Sequence, residues 1–425
     1  MTATFGRSDD SECYYVNTVT GETQWSRPAE YESEDERDRR EDEGAICFDK
    51  SAAVASVLAE LGCAPAAGEM AADREAMLKG GAEDAVRRCE KRLRQLNLAV
   101  RYCGSASEWE RAMSAKELSL VREVYLHWGK QGRTPPKVRA QACVLMHSFA
   151  QLDPSLIRRY VSGAWGQGPV DFFANLEQGL QEASPDEPSL FSWLSLMYSF
   201  LSEVPALPPA ALPSQDTIQV LIAAMSAADE DLFLMAAYVL LALNSHLGLS
   251  AAAEGGGGGG GGGAEEEGRD PRATLGDQPN ALLCALLADR RGGELFSEAV
   301  MHLLNGQSYP YADAVLLGQL LLFVRASFAT RATNELFHTN DVRVLLDIVL
   351  GNVRDLPPSD DFRTEYLRVL HLVLLNSPAW AKDKFRRREI VLALDEVCAA
   401  ANKGMLKAAA KYATRILLDC VKQLQ

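Results

Sequence analysis

The chain has no cysteine pattern that would build a framework. Its nine cysteines, Cys13, Cys47, Cys63, Cys89, Cys103, Cys143, Cys284, Cys398 and Cys420, are odd in number and scattered, with no Cys-x-x-Cys pair among them. They read as small apolar side chains in a reducing cytosol. The histidines His127, His147, His246, His302, His338 and His371 stand apart, without metal-ligand spacing. No metal and no cofactor are expected.

Long apolar runs are also missing. The longest, Leu232 to Leu243, has twelve residues, short of the roughly 18 to 20 that cross a bilayer, so it predicts a buried helix and no membrane span. Met1 to Asp10 lacks the basic start and apolar run of a signal peptide, and secretion by that route is not expected. Basic excess is absent as well. A net charge of −15 argues against a nucleic-acid partner, because neutralising phosphates needs a basic surface or a long basic stripe.

Strand-like alternation is nearly confined to the first 30 residues. Cys13-Tyr14-Tyr15-Val16-Asn17, a turn around Thr20-Gly21, and Glu22-Thr23-Gln24-Trp25 predict a hairpin that ends near Pro28. Residues 31–50 are read as an acidic linker, in which the stretch Glu30 to Glu43 has no aliphatic residue to anchor a core. From residue 51 onward helical periodicity dominates, so the body is expected to be all-α. Helices are predicted near 51–61, 82–102, 115–129, 137–151, 170–181, 189–203, 215–226 and 230–247. They resume near 279–290, 294–304, 311–329, 341–354, 361–375, 385–401 and 404–424. Between the two sets lies a Gly-rich loop, 250–277, with nine consecutive glycines from Gly255 to Gly263. Starts of the last two helix pairs recur about every 40 to 45 residues, the period of armadillo and HEAT repeats. So many amphipathic helices exceed what one bundle core can bury, which favours an α-solenoid.

The hairpin resembles a WW domain over roughly residues 1–30. Two aromatics on adjacent strands can make a slot for a proline ring, since a polyproline II ligand arrives already extended. The resemblance implies that Tyr14, Thr23 and Trp25 line the ligand groove and that Tyr15 and Pro28 form the hydrophobic buckle. The copy is incomplete: the first-strand Trp of that family is missing, with Phe5 the nearest substitute, and Thr18 stands where many members carry His. A working proline reader and a truncated copy both fit these residues.

A second stretch is more specific. Val342, Leu345, Leu346, Val349, Leu350 and Val353 recur at i, i+3, i+4, i+7, i+8 and i+11, one apolar face of a helix that Asn340 can cap. Leu356-Pro357-Pro358 stops it. Ser359 or Asp360 caps the next helix, with Phe362, Leu367, Leu370 and Leu374 inward and Pro378 beyond its end. On physics alone these residues are cores and caps. The wording of Leu336-Phe337-His338-Thr339-Asn340-Asp341, Val344-Leu345-Leu346-Asp347-Ile348, Asp355-Leu356-Pro357 and Arg363-Thr364-Glu365-Tyr366-Leu367 nevertheless resembles the armadillo-like, leucine-rich domain of the WISH/DIP/SPIN family. The resemblance is closest over 333–375 and extends over about 90–425. Phe337, Thr339, Asn340, Asp341, Asp347, Arg363 and Tyr366 carry it, while His338 replaces the usual Tyr. Animal relatives place an SH3 domain where this chain has its WW-like hairpin; both read proline.

The resemblance implies an actin regulator that binds the actin-related protein (Arp) complex and activates it without a pre-existing filament, giving unbranched seeds. Its expected setting is the cytoplasm, at the actin-rich cortex, with a role in endocytosis. A general α-solenoid adaptor for signalling or trafficking is the competing reading. Two basic features could face a partner: Lys382, Lys384, Arg386, Arg387 and Arg388 in one run, and the stripe Lys403, Lys407, Lys411, Arg415. Their bland reading is a solvated surface. The glycine run lacks a Lys-Ser/Thr ending and follows no strand, so it is no phosphate loop. A prolyl isomerase body, with its mixed α/β pattern, is not present, and no enzyme is expected.

Overall fold

The computed structural model divides into two compact units, Met1–Pro65 with Arg101–Gly104 and Ala66–Val100 with Ser105–Gln425. Described residues of the first unit are three short antiparallel strands, β1 (Ala3–Arg7), β2 (Cys13–Asn17) and β3 (Thr23–Gln24), in the order β1-β2-β3. Phe5 pairs in register with Tyr15, and Val16 with Thr23. Described residues of the second unit lie mainly in 136–152, 169–183, 189–207, 211–254, 280–307, 313–357, 360–401 and 407–424, with a few isolated positions within and before them. The acidic linker, the expected helices between 51 and 129, and most of the Gly-rich loop fall outside them.

The described residues of the second unit are mainly helical, with no strand among them. Its elements are α1 (Pro136–Leu152), α2 (Pro169–Glu182), α3 (Ser189–Glu203), α4 (Gln215–Ala224), α5 (Glu230–Glu254), α6 (Ala281–Ala288) and α7 (Arg290–Gly306). They continue with α8 (Ala314–Ala329), α9 (Thr339–Asp355), α10 (Asp361–Asn376), α11 (Pro378–Asp383), α12 (Arg387–Ala401), α13 (Lys407–Asp419) and α14 (Val421–Leu424).

Short oxygen-bearing side chains start these helices by accepting otherwise orphaned backbone N–H groups. Ser214 caps α4, Asp229 α5, Asn280 α6, Asp289 α7, Asp313 α8, Asp360 α10 and Ser377 α11. Of the two residues expected to cap α10, Asp360 holds the position. At α9 the expectation fails by two residues. The cap is His338 rather than Asn340, and the Asp341 carboxylate reaches back to accept the His338 N–H at 2.9 Å.

Packing arranges the helices in two rows. One row runs α1, α3, α5, α8, α10, α13, each touching the next. The other runs α2, α4, then α6 and α7, α9, α12. The hairpins α2/α3, α4/α5, α7/α8, α9/α10 and α12/α13 bridge the rows, which is the arrangement of an α-solenoid. Helices α7, α9 and α12 start 49 and 48 residues apart, slightly more than the expected 40 to 45. The excess before α12 contains α11, a short helix that begins at Pro378 itself; the sequence expectation had only placed that proline beyond the end of α10. Proline is well placed there because the first helical N–H has no partner to lose.

The first row is the more thoroughly buried. Leu316, Leu317, Leu320, Leu321, Phe323, Val324 and Phe328 of α8 point to several sides and all are buried, because this helix touches two row neighbours and the opposite row. In α9 burial is confined to the expected stripe, Val342, Leu345, Leu346, Val349, Leu350 and Val353. An aromatic cluster ties the rows together: Phe296 meets Phe323 edge-on at 4.8 Å, and Phe337 stacks on Phe328 at 5.6 Å. Asn376 Nδ2 donates to the Phe328 carbonyl at 2.6 Å, and Asn334 Nδ2 donates to the Asn376 carbonyl at 2.8 Å. Helices α5 and α6, which flank the Gly-rich loop, are joined by the Asn280 amide donating to Asn244 at 2.9 Å.

Candidate functional site

Three places on the helical unit combine exposed side chains with a defined geometry. The first is a groove of about 670 Å³ where the end of α6 and the start of α7 meet the Asn334–Thr339 turn and α11. Its walls include Leu286, Leu336 and Phe337, and its rim carries Arg290, Glu294, His338 and Lys382. Gly293 makes the turn from α6 into α7 possible, since a Cβ there would lie 2.6 Å from the Leu286 carbonyl oxygen. Glu294 accepts from Arg290 Nε at 2.9 Å and lies 3.7 Å from His338 Nε2.

Of the residues that carry the family resemblance, Phe337 is core, Thr339 and Asn340 are exposed at the start of α9, and Asp341 is the capping carboxylate. Arg363 and Tyr366, one turn apart on α10, are both buried. Desolvation pulls the Arg363 guanidinium below its ordinary pKa, against the pull of Glu396. Burial, with a smaller contribution from Asp360, pushes the Tyr366 phenol up to about 12. Its hydroxyl has no hydrogen-bond partner among the described residues.

The second place is the α11–α12 turn. Lys384 and Arg386 both adopt the left-handed conformation, at φ 49° and 58°, and Trp380 Nε1 holds the turn by donating to the Phe385 carbonyl at 3.0 Å. Arg386 donates to Asp347 at 2.9 Å and to Glu389 at 2.8 Å. Those bonds, Glu389 first, raise its pKa. The guanidinium groups of Arg386 and Arg343 lie 5.4 and 5.8 Å from the Phe385 ring centre, and Arg343 also pairs with Asp383 at 2.5 Å. Arg387 Nε donates to the Leu424 carbonyl at 2.7 Å. Lys382 and Arg388 are exposed. This basic run is thus interleaved with its own acidic partners.

The third place lies on the first row, where α8, α10 and α13 adjoin. Arg325, buried within the apolar α8, donates to Glu365 of α10 at 2.9 Å. Desolvation lowers its pKa, with Glu365 opposing. Arg368 donates to the other oxygen of Glu365 at 2.6 Å. From α13, the Tyr412 hydroxyl lies 3.3 Å from His371 Nδ1. Burial pushes that phenol up to about 12, while Arg368, Arg325 and Arg415 pull it down. Asp419 sits 3.2 Å from His371 Nε2 and 3.4 Å from Arg415 Nε.

Lys411 and Arg415, two members of the predicted basic stripe, belong to this third place; Lys403 and the side chain of Lys407 lie outside the described residues. Trp25, Pro28 and the side chains of Tyr14, Tyr15 and Thr23 do so as well. Arg325, Glu365, Arg368 and Tyr412 were not singled out as a site from the sequence. A signal was present in Arg325, the lone charge in α8, since a buried charge requires a partner. Among the described residues no group of three His, Cys, Asp or Glu side chains is placed to hold a metal ion, and no helix is long and apolar enough to cross a membrane.

Residues 229–390 match the family described as SPIN90/Ldb17, leucine-rich domain. The match begins at Asp229, the cap of α5, and ends within α12. A curated relative, protein dip1 of Schizosaccharomyces pombe, is 30% identical over 126 residues, which are 29% of this chain and 33% of dip1. The aligned segment thus spans about a third of that relative's length. Both similarities support the WISH/DIP/SPIN resemblance of the helical unit.

Proposed function

We propose that this chain binds and activates an actin-related protein (Arp) complex and so nucleates unbranched actin filaments, acting by binding rather than catalysis. The observation that carries the reading is the match to the SPIN90/Ldb17 leucine-rich domain, laid over α5 to α12 of a continuous two-row solenoid. The physical demand on such an activator is differential contact. Moving a complex from 1:99 to 99:1 in favour of its active state takes about 5.5 kcal/mol of preferential binding. A long helical surface can supply that when its contacts form only in the active state. The WW-like segment, with Tyr14, Thr23 and Trp25 as its ligand-facing set, would recruit the chain to proline-rich partners at the cytoplasmic actin cortex.

Pyrene-actin polymerisation with the full chain and purified Arp complex, without preformed filaments, tests the first part. Faster assembly into unbranched filaments only when both proteins are present is the expected result. No acceleration and no binding in a pull-down would sink it. Titration with a proline-rich peptide, against a Trp25→Ala control, tests recruitment separately.

A further inference from the structure

Where α3, α5 and α8 adjoin, the first row holds a half-buried tyrosine pair that the actin reading leaves unused. Tyr198 of α3 and Tyr238 of α5 lie with ring centres 5.6 Å apart and planes inclined by 35°, and both keep part of their surface in solvent. Burial raises the Tyr198 phenol above its ordinary range, against a hydrogen bond with Ser202, and Asp313 and Tyr238 raise it further. Burial and then Asp313 raise the Tyr238 phenol in the same way. One carboxylate, at the start of α8, thus acts on both rings. Asp313 accepts the Val315 and Leu316 N–H groups at 2.9 and 3.1 Å, and among the described residues it has no cationic partner. The surroundings supply none. Helices α3 and α5 contain neither lysine nor arginine. The one arginine of α8, Arg325, lies twelve residues beyond Asp313, about 18 Å along the helix. Arg158, which reaches α3 from an earlier segment, is held by Glu203 at 2.7 Å.

Rings and an uncompensated carboxylate together define a complementary ligand. A tyrosine face attracts a cation through its quadrupole, and a nearby carboxylate attracts the same charge. Long cationic side chains also bring an aliphatic stem, and Val315, two residues past Asp313 and 58% exposed, offers it an apolar surface. The net charge of −15 favours the approach of such a partner. We propose that the tyrosine pair of α3 and α5, with Asp313 at the start of α8, docks a basic segment of a partner protein, one lysine or arginine lying over the Tyr238 ring with its charge toward Asp313. A polyproline segment would use the same rings but has no need of the carboxylate, which separates the two occupants.

Fluorescence anisotropy of a labelled peptide rich in lysine and arginine, on the full chain at about 0.15 M salt, reads the docking while screening diffuse attraction. It is independent of any actin assay. The peptide should bind, and Tyr238→Ala should weaken it about fivefold, whereas Tyr238→Phe, which keeps the ring, should change it less than about twofold. Asp313→Asn should weaken it about threefold. Asparagine caps a helix as well as aspartate does, so this variant keeps the test valid if Tyr238→Ala misfolds. Asp289→Asn, the same change at the cap of α7, should leave binding within about twofold. No binding of the basic peptide, equal losses in the two aspartate variants, or a loss in Tyr238→Phe as large as in Tyr238→Ala would overturn the proposal. So would an uncharged proline-rich peptide that binds in place of the basic one and is lost on Tyr238→Ala.

Discussion

The two rows of helices solve the burial problem differently. The row of α5, α8 and α10 surrounds its helices with neighbours, so polar groups that enter it are mostly paired inside the protein, the Tyr366 hydroxyl being an exception among the described residues. The row of α7, α9 and α12 buries one stripe per helix and leaves the opposite side to water, where charge is cheap. Arg325 and Arg386 make the contrast concrete. The first is nine-tenths buried and held by Glu365, whereas the second is exposed and pairs with Asp347 and Glu389 across the surface. Substitutions should therefore cost much more in the first row, and the sharpest way to break the comparison is to find a position where they do not.

The largest effect is expected at Phe323, which is fully buried and edge-on to Phe296. Phe323→Ala should destabilise by about 3 to 5 kcal/mol, while Val344→Ala on the exposed side of α9 should stay within about 0.5 kcal/mol. Chemical denaturation of both variants checks the ratio. Next comes His246 in α5, whose Nε2 lies 2.8 Å from the Leu201 carbonyl while its Nδ1 accepts the Leu207 N–H at 3.2 Å. That pair of bonds requires the neutral ring with its proton on Nε2. His246→Leu would strand both backbone groups, at about 2 to 3 kcal/mol.

The same histidine makes a pH prediction. Burial lowers its pKa below the ordinary 6.5, so below that pH the unfolded chain takes up a proton that the folded chain refuses. Its contribution to stability is full above 6.5 and is lost as pH falls through the folded-state value. Melting temperature should therefore drop on mild acidification, and His246→Leu should flatten that part of the profile.

Glu365→Ala should follow, at about 2 kcal/mol by denaturation. That is less than the 3 to 5 of a fully buried pair because Glu365 keeps some contact with water. A small effect of opposite sign is expected at the α11–α12 turn. Lys384→Gly should stabilise by up to about 1 kcal/mol, since Lys384 holds a left-handed backbone that glycine adopts without steric cost.

Much of this fold was legible residue by residue. Asp360 after Leu356-Pro357-Pro358 and the Val342–Val353 stripe are signals contained within a few turns of helix. They predicted α9 and α10 closely. Two local expectations missed for local reasons. The cap of α9 uses a reach-back from Asp341 that makes His338 a serviceable start, and Pro378 opens a helix because its missing N–H costs nothing at the first position. The cluster of α8, α10 and α13 was harder to read, because its members are far apart in the chain. Arg325 meets Glu365 across 40 residues and His371 meets Tyr412 across 41, and no periodicity within a helix encodes either encounter.

By itself, then, the sequence placed most of the described helices to within a few residues, the buried stripe of α9, and the family wording of α9 and α10, since caps and amphipathic spacing act over one or two turns. Tertiary structure alone decided which row each helix joined, that Arg386 would be tied to Asp347 while Lys411 stayed exposed, and that Arg325, Glu365, Arg368 and Tyr412 would meet. Those outcomes depend on how successive hairpins stack, and stacking is set by the summed packing of whole helix faces rather than by any short stretch of chain.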